Sequence, residues 1–98
     1  MKDAICTAIQ NKNLISFIYE DHERVVEPHL LGRKKGTDND ALSAWQVRGY
    51  SESKNIPAWR NYLLNEMRNL TILDETFTAA RPGYNSNDRT MSHIYCHL

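Results

Sequence analysis

Polar side chains recur at two-residue spacing in two segments of the chain. Gln46, Arg48 and Tyr50 occupy alternate positions, and so do Arg60 and Tyr62. Residues two apart in a β-strand lie on one face of a sheet, so we expect each set to project together. A guanidinium fork suits phosphate or carboxylate, and a tyrosine ring can stack on a base. The spacing therefore predicts a site for a small anionic or nucleotide-like ligand.

The preceding segment carries further candidate groups. His29 and Arg33 share a strand face if no bulge intervenes, and we include both in the predicted ligand site. Glu27 and His29 could form an acid–base pair, but a structural role suits them better with Pro28 between them. The chain has no nucleophile elbow, zinc-protease motif or dinucleotide turn. We therefore predict that it is not an enzyme and uses no cofactor.

A purely structural role is the alternative for the two arginines. Arg48 and Arg60 would then solvate the outer face of the sheet, as exposed charges on antiparallel sheets commonly do. They would pair with Glu27 or Glu52. The basic loop Gly32–Thr37 lacks the spacing and the lysine of a phosphate-binding loop, so we expect a solvated hairpin tip there.

The ends of the chain hold the cysteines and two of the four histidines. His93, Cys96 and His97 have metal-ligand spacing, but no fourth ligand is near, and we predict no metal site. Cys6 and Cys96 lie far apart in sequence, and disulfides are rare in reducing compartments. We expect two reduced thiols, with a bridge as the alternative if the termini are adjacent.

The composition is that of a small globular protein. The chain has 98 residues, twelve Lys+Arg against twelve Asp+Glu, and 41% hydrophobic residues. This balance argues against a disordered chain and a polybasic arm. No apolar run approaches the roughly 20 residues of a membrane span, and the start lacks the apolar core of a signal peptide. We predict a single cytoplasmic domain over residues 1–98, with a folded surface of about 5,800 Å².

Periodicity predicts one helix and then a series of short strands. Residues 3–12 read as a helix with Ile5 and Ala8 on its apolar face and Asp3 as its N-cap. The predicted strands cover residues 14–19, 24–31, 42–50, 59–64 and 70–73. We predict a short C-terminal helix capped by Asn87 or Asp88, and a final short strand is the alternative there.

Short strands joined by tight turns cannot bury both faces of a flat sheet. They curl, and we predict a small Sm/SH3-like β-barrel over about residues 14–77, followed by a tail over residues 78–98. The fold class is thus mainly β with short helices (α+β). Pro28 cannot donate to a ladder, so we place it at an edge or a bend. Trp45, Trp59, Phe17 and Phe77 are expected to fill the barrel.

Several segments in this layout resemble the WYL domain, an Sm- or SH3-like barrel of bacterial regulators. The segments that carry the resemblance are Ala8-Ile9, Ile15–Tyr19, Arg24–Leu30, Ala44–Ser51, Trp59–Leu64, Leu70–Leu73 and Phe77. The tail, with Arg81–Asn85, looks like that of small stand-alone members. The name-giving Trp-Tyr-Leu appears as Trp45-Gln46-Val47, and Leu63 and Glu66 stand where the family often carries arginines.

The resemblance implies ligand sensing on behalf of an effector. The family often senses nucleotides or single-stranded nucleic acid, and here the effector protein would be a separate molecule because no helix-turn-helix precedes the barrel. The competing hypothesis is an interaction module without a small-molecule ligand. It would form a homodimer or dock on a partner through a strand edge and the Arg81–Tyr84 segment. Neither hypothesis places the chain at a membrane.

Overall fold

The chain folds into one helix and six strands, in a computed structural model that describes residues 1–98. The fold is mainly β, as predicted. The elements are α1 (Lys2–Asn11), β1 (Asn13–Tyr19), β2 (His22–Lys34), β3 (Asp40–Gly49), β4 (Ala58–Leu63), a 3-10 turn (Leu64–Glu66), β5 (Arg68–Thr76) and β6 (Met91–His97). Every strand expected from period-two patterning is present, and most are longer than predicted.

The helix packs one apolar face on the sheet. Ile5, Ala8 and Ile9 are buried on α1, as the helical spacing predicts. The predicted cap is wrong, because α1 already begins at Lys2 and its N-cap position, Met1, makes no side-chain cap bond. Asp3 therefore lies in the first turn, where its negative charge interacts favourably with the positive end of the helix dipole. The helix ends at Asn11, and its C-cap residue, Lys12, has a left-handed φ of 55°.

The strands form one antiparallel sheet in which β2 is central. The order is β4-β3-β2-β1-β5, and β6 also pairs with β2. β3 pairs with almost the whole length of β2, from Arg24 to Arg33. On the other side of β2, β1 pairs as far as Val26 and β6 takes over from Leu30. This arrangement buries β2 on both sides and makes it the spine of the fold.

Pro28 lies inside this central strand. The expectation of an edge position is wrong, but that of a bend fits, because the register with β3 shifts between Pro28 and Leu30. Pro28 also stands in the interval where β2 changes partner from β1 to β6. A residue without an N–H is tolerated there because no neighbouring strand pairs with it on that side.

The sheet curls but is not closed, so a complete barrel is not formed. Side chains bring β1 and β4 together across the core, where the Tyr19 and Tyr62 rings lie 5.0 Å apart edge to face. The Tyr19 hydroxyl also accepts the backbone N–H of Leu63 at 3.2 Å. The accessible surface of 5699 Å² is close to the value expected for a compact chain of this mass.

The C-terminal segment is a strand, so the predicted C-terminal helix is wrong. β2 extends past the end of β1 and leaves an open edge over Leu30–Lys34, which β6 covers. Gly32 permits this approach, since a Cβ there would meet the His93 carbonyl oxygen at 2.5 Å. The helical stripe in the sequence is therefore overridden by a tertiary ladder.

The two cysteines form a disulfide, so the expectation of reduced thiols is wrong. Cys6 on α1 and Cys96 on β6 are 90 residues apart in sequence, but their Cα atoms are 5.7 Å apart. The cytoplasmic prediction rested partly on reduced thiols, and this bridge removes that support. None of the helices has the length and apolar character needed to cross a membrane.

Candidate anion-binding cavity

A surface cavity of about 330 Å³ lies where the starts of β2 and β4 meet the loop that follows β3. Arg24 and Arg60 both line it, together with the hydroxyl groups of Ser51 and Ser53. Of the residues predicted for the ligand site, this cavity includes Arg60 and Tyr62. It brings in Arg24 rather than Arg48 as the second guanidinium.

Arg24 is a buried cation with unused hydrogen-bonding capacity. Its residue surface is 5% exposed, and its guanidinium carbon lies 5.7 Å from the Tyr19 ring centroid and 5.4 Å from that of Tyr50. Nη2 donates to the Tyr19 carbonyl oxygen at 3.1 Å and to Glu20 at 3.4 Å. Nε is buried and has no partner. Leaving a charged donor buried and unsatisfied is unfavourable, but because Nε has almost no accessible surface, a ligand in the cavity would meet Arg24 through its other atoms.

Arg60 carries no carboxylate partner. Its Nη2 donates to Ser51 Oγ at 2.9 Å, Ser53 Oγ at 2.8 Å and the Asn55 carbonyl oxygen at 3.0 Å. Its Nη1 donates to the Trp59 carbonyl oxygen at 2.9 Å. All four acceptors are neutral, so the guanidinium holds the loop that follows β3 while no carboxylate compensates its positive charge. An anion is a stronger acceptor for this group than a serine hydroxyl.

Two glutamates stand at the rim of the cavity. The Glu20 side chain is 63% exposed and that of Arg24 is 6% exposed, so the 3.4 Å contact between them is a long ion pair with one buried partner. Glu52 is exposed and makes no ion pair. Glu52 can move into solvent freely, whereas moving Glu20 away would leave the buried Arg24 without a carboxylate partner unless an anion replaced it. The buried part of the cavity is cationic and its exposed margin is acidic.

Gln46 and Tyr62 are internal supports of this cavity. Tyr62 is 2% exposed and donates from its hydroxyl to Gln46 Oε1 at 3.1 Å. Gln46 is fully buried, and its Nε2 donates to the carbonyl oxygens of Arg48 and Tyr50 at 3.1 and 2.7 Å. Burial raises the pKa of Tyr62 to about 12, so it stays neutral. Neither side chain is free to read or stack on a ligand as the sequence predicts.

Arg48 lies outside the cavity. Its guanidinium forms a two-bond ion pair with Glu75 on β5, at 2.9 and 2.6 Å. The hydrogen bonds with Arg48 hold the pKa of the Glu75 carboxyl below its ordinary value. A register shift explains the separation from Gln46, because Val25 opposes Arg48 while Val26 opposes Gln46, which leaves an extra residue on β3. The alternative assignment of Glu27 and Glu52 as partners of the arginines is also wrong.

Tyr50 is the exposed aromatic residue beside Arg24. It is 42% exposed, and its ring stacks on that of His22 with centroids 3.8 Å apart and planes inclined by 19°. Arg24 lies against the same tyrosine. Of the two tyrosines predicted to stack a base, Tyr50 is accessible and Tyr62 is not.

His29 anchors the tail and is distant from solvent. It is fully buried, with Nδ1 2.8 Å from the Glu27 carbonyl oxygen. Nε2 accepts the backbone N–H of Arg81 at 3.1 Å, so the proton sits on Nδ1 and the ring is neutral. Burial lowers its pKa. The Glu27 carboxylate takes two hydrogen bonds from the Arg81 guanidinium, at 2.7 and 2.8 Å. The structural role anticipated for Glu27 and His29 is the one observed.

The other predicted candidates also have separate surroundings. Arg33 is exposed and pairs in register with His93 of β6. A hydrogen bond with Tyr95 raises the pKa of Arg33. Cys96 is bound to Cys6, and no group of three or more histidine, cysteine or acidic side chains has the arrangement of a metal site.

Sequence reasoning missed Arg24 and the two serines. One signal was available, because Arg24 alternates with Val26, and an arginine in phase with an inward-facing valine is unusual. Ser51 and Ser53 also alternate, but nothing local connects them with Arg60.

No protein-family model, curated protein or solved structure matches the chain.

Proposed function

We propose that this protein is a non-catalytic module that binds a small anionic ligand between Arg24 and Arg60. The observation that carries the proposal is that Arg24 and Arg60 line one cavity, where Arg60 has only neutral acceptors and Arg24 has one 3.4 Å contact with the exposed Glu20. Two guanidinium groups can share one phosphate or carboxylate, with charge-assisted bonds to each. The ligand would take the place of the serine hydroxyls on Arg60.

The dimensions of the cavity limit the ligand. A volume of about 330 Å³ is near the lower end of the roughly 300–1,000 Å³ of small-molecule sites. One phosphate or carboxylate with a small polar body fits this space, and an oligonucleotide would engage it through a single phosphate. Tyr50 is exposed and next to Arg24 but does not line the cavity, so a base of a nucleotide-like ligand would have to displace the stacked His22 ring to reach it.

The finer assignment of the fold belongs to the same proposal. We propose that the sheet is an open form of the Sm/SH3-like barrel of the WYL domain. The N-terminal helix, the strand order β4-β3-β2-β1-β5 and the curl that brings Tyr19 to Tyr62 support it. A ligand-sensing domain of this kind would pass its signal to a separate effector protein.

The second candidate function is an interaction module. The outer edges of β4 and β5 are unpaired, since these strands end the path of the sheet. On β5, Ile72 is 40% exposed at that edge. A homodimer or a partner could add a strand there. The two arginines give no support to this alternative, whereas an anion would compensate the two guanidinium groups that line one cavity.

A thermal-shift titration tests the anion site. The probes are inorganic phosphate, a nucleoside monophosphate and a short single strand, each with the wild-type chain and the variants Arg24→Lys, Arg60→Gln and Arg48→Gln. We expect the first two variants to weaken binding by about 10–100-fold, the equivalent of losing a hydrogen bond to a charged group. Arg48→Gln removes the same charge outside the cavity and should bind like the wild type.

Two results would overturn the proposal. One is the absence of stabilisation of the wild type by any of the three probes. The other is an equal loss of binding in Arg48→Gln and Arg60→Gln, which would indicate attraction by net charge alone. Light scattering of the same samples separates the second candidate function, because a tight dimer without a ligand response would favour an interaction module.

A further inference from the structure

β6 covers an edge of β2 that no other strand pairs with. Its ladder runs from Lys34–Met91 to Leu30–His97, and the Leu98 N–H donates to the His29 carbonyl oxygen at 2.9 Å. This pairing is between residues more than 55 positions apart in sequence. The Leu30–Lys34 edge of β2 is therefore formed without β6, which docks on it from a distant part of the chain.

The chain that leads to β6 is tied to the rest of the fold at both of its ends. Arg81 is held by Glu27, and the Trp59 indole N–H donates to the Pro82 carbonyl oxygen at 2.8 Å. After Tyr84, residues 85–90 contain no helix or strand and are mostly exposed. Contacts within residues 85–89 are largely short turns, such as Asn87 N–H to Asn85 Oδ1 at 3.0 Å. Thr90 is tied to the end of β2, because its carbonyl oxygen accepts the Lys35 N–H at 2.9 Å and its Oγ1 accepts from Lys34 Nζ at 3.0 Å. Fully extended, these six residues reach roughly 20 Å.

The Cys6–Cys96 disulfide keeps β6 docked on the β2 edge of its own chain. Cys96 of β6 is joined to Cys6 of α1, and both residues are half-buried. As long as this bond is intact, β6 cannot leave the β2 edge of its own chain without opening the helix as well. When it is reduced, noncovalent contacts alone hold β6, and an identical edge on a second copy offers the same ladder.

We propose that Cys6–Cys96 is a redox lock on strand exchange: when it is reduced, β6 swaps between two copies of this chain. The occupant of the Leu30–Lys34 edge in the dimer is β6 of the second copy, with residues 85–90 extended as the hinge. The proposal is independent of the anion site, because neither cysteine lines that cavity.

The electrons for the reduction come from a dithiol. Its first thiolate attacks one sulfur of the bridge and forms a mixed disulfide, and its second thiolate displaces the protein sulfur. Two electrons and two protons pass to Cys6 and Cys96, which become thiols, while the dithiol closes to its cyclic disulfide. Reoxidation within a swapped dimer by a small disulfide, which takes up the two electrons and two protons and leaves as two thiols, joins Cys6 of one copy to Cys96 of the other.

Two single-cysteine chains test this inference. Cys6→Ser, carrying a mass tag, and Cys96→Ser are mixed in dithiothreitol and then oxidised with glutathione disulfide. A swapped pair puts the remaining Cys6 beside the remaining Cys96, so covalent heterodimers should exceed their statistical share on a non-reducing gel. Random collision would give heterodimers and homodimers in statistical proportion, which would overturn the proposal.

Light scattering of the wild-type chain provides a second measurement. The oxidised chain should be monomeric, and the reduced chain should dimerise in proportion to its concentration while keeping its far-ultraviolet circular dichroism. Deletion of Ser86–Arg89 makes the hinge too short for β6 to fold back, so this variant should be dimeric in both redox states. A reduced wild type that stays folded and monomeric up to its solubility limit would refute the exchange.

Discussion

Replacing both cysteines by serine removes the one covalent link between the ends of the fold. The bridge closes a loop of 90 residues, and the chain-entropy relation assigns such a loop about 4.6 kcal/mol at 25 °C. Domains of this size have a total stability of roughly 5–15 kcal/mol. The Cys6→Ser/Cys96→Ser variant should therefore be only marginally stable, with a Tm lower by about 20–35 °C, at roughly 4–8 °C per kcal/mol.

Urea denaturation of dilute, monomeric samples measures this effect. The oxidised wild type is compared with the reduced wild type, each single serine variant and the double variant. Either substitution alone opens the bridge, so the single variants should lose nearly as much stability as the double variant, and their effects should not add. The m-value should rise on opening, because the unlinked denatured chain exposes more surface.

The result that would refute this reasoning is a small loss with an unchanged m-value. A decrease below about 1 kcal/mol would mean that the denatured chain is already compact enough for the link to matter little. An additive loss from the two single variants would point instead to packing of the two half-buried side chains against the core. Either outcome would also weaken the case for a redox lock, because the ends would then be held by contacts alone.

Three further predictions concern the contacts around β2. Burial lowers the pKa of His29, whose charged neighbours are Glu27 and Arg81. The contribution of His29 to stability should therefore be complete above about pH 6.5 and fall as the pH drops toward the folded pKa. Urea midpoints at several pH values should lose this slope in His29→Gln but keep it in His22→Gln. Arg81→Ala leaves the Glu27 carboxylate, 4% exposed, without its partner. It should lower the free energy of unfolding by about 2 kcal/mol, less than the 3–5 of a fully buried pair because Arg81 is half-exposed. Trp59 fluorescence should report loosening of the tail, and an unchanged unfolding midpoint would contradict the prediction. Gly32→Ala places a Cβ against the His93 carbonyl oxygen and should destabilise by about 1–3 kcal/mol, with faster amide exchange confined to β6; uniform exchange rates would disprove the local clash.

The local elements were predictable because their signals are local. The spacing of Ile5, Ala8 and Ile9 indicated the buried face of α1, and the alternation around Phe17 indicated β1. The positions of β3 and β4 followed in the same way. For these segments, burial of one face is the main term in their stability, and the sequence displays that face directly.

Long-range pairing decided what the sequence alone could not. The stripe of apolar residues over 91–98 is compatible with a helix, but the open edge of β2 offered a ladder and made it a strand. The same strand brings Cys96 to Cys6. Neither outcome is encoded within a few residues, since both depend on how far β2 extends beyond β1.

The candidate site divides along the same line. The sequence determined that arginines and tyrosines recur at strand spacing, which is enough to suggest an anion. The extra residue on β3 separates Arg48 from Gln46, and the curl of the sheet brings Arg24 to Arg60 instead. Side-chain period is a property of one strand, but which cations share a cavity depends on register and curvature, and these are set by the packing of all strands together.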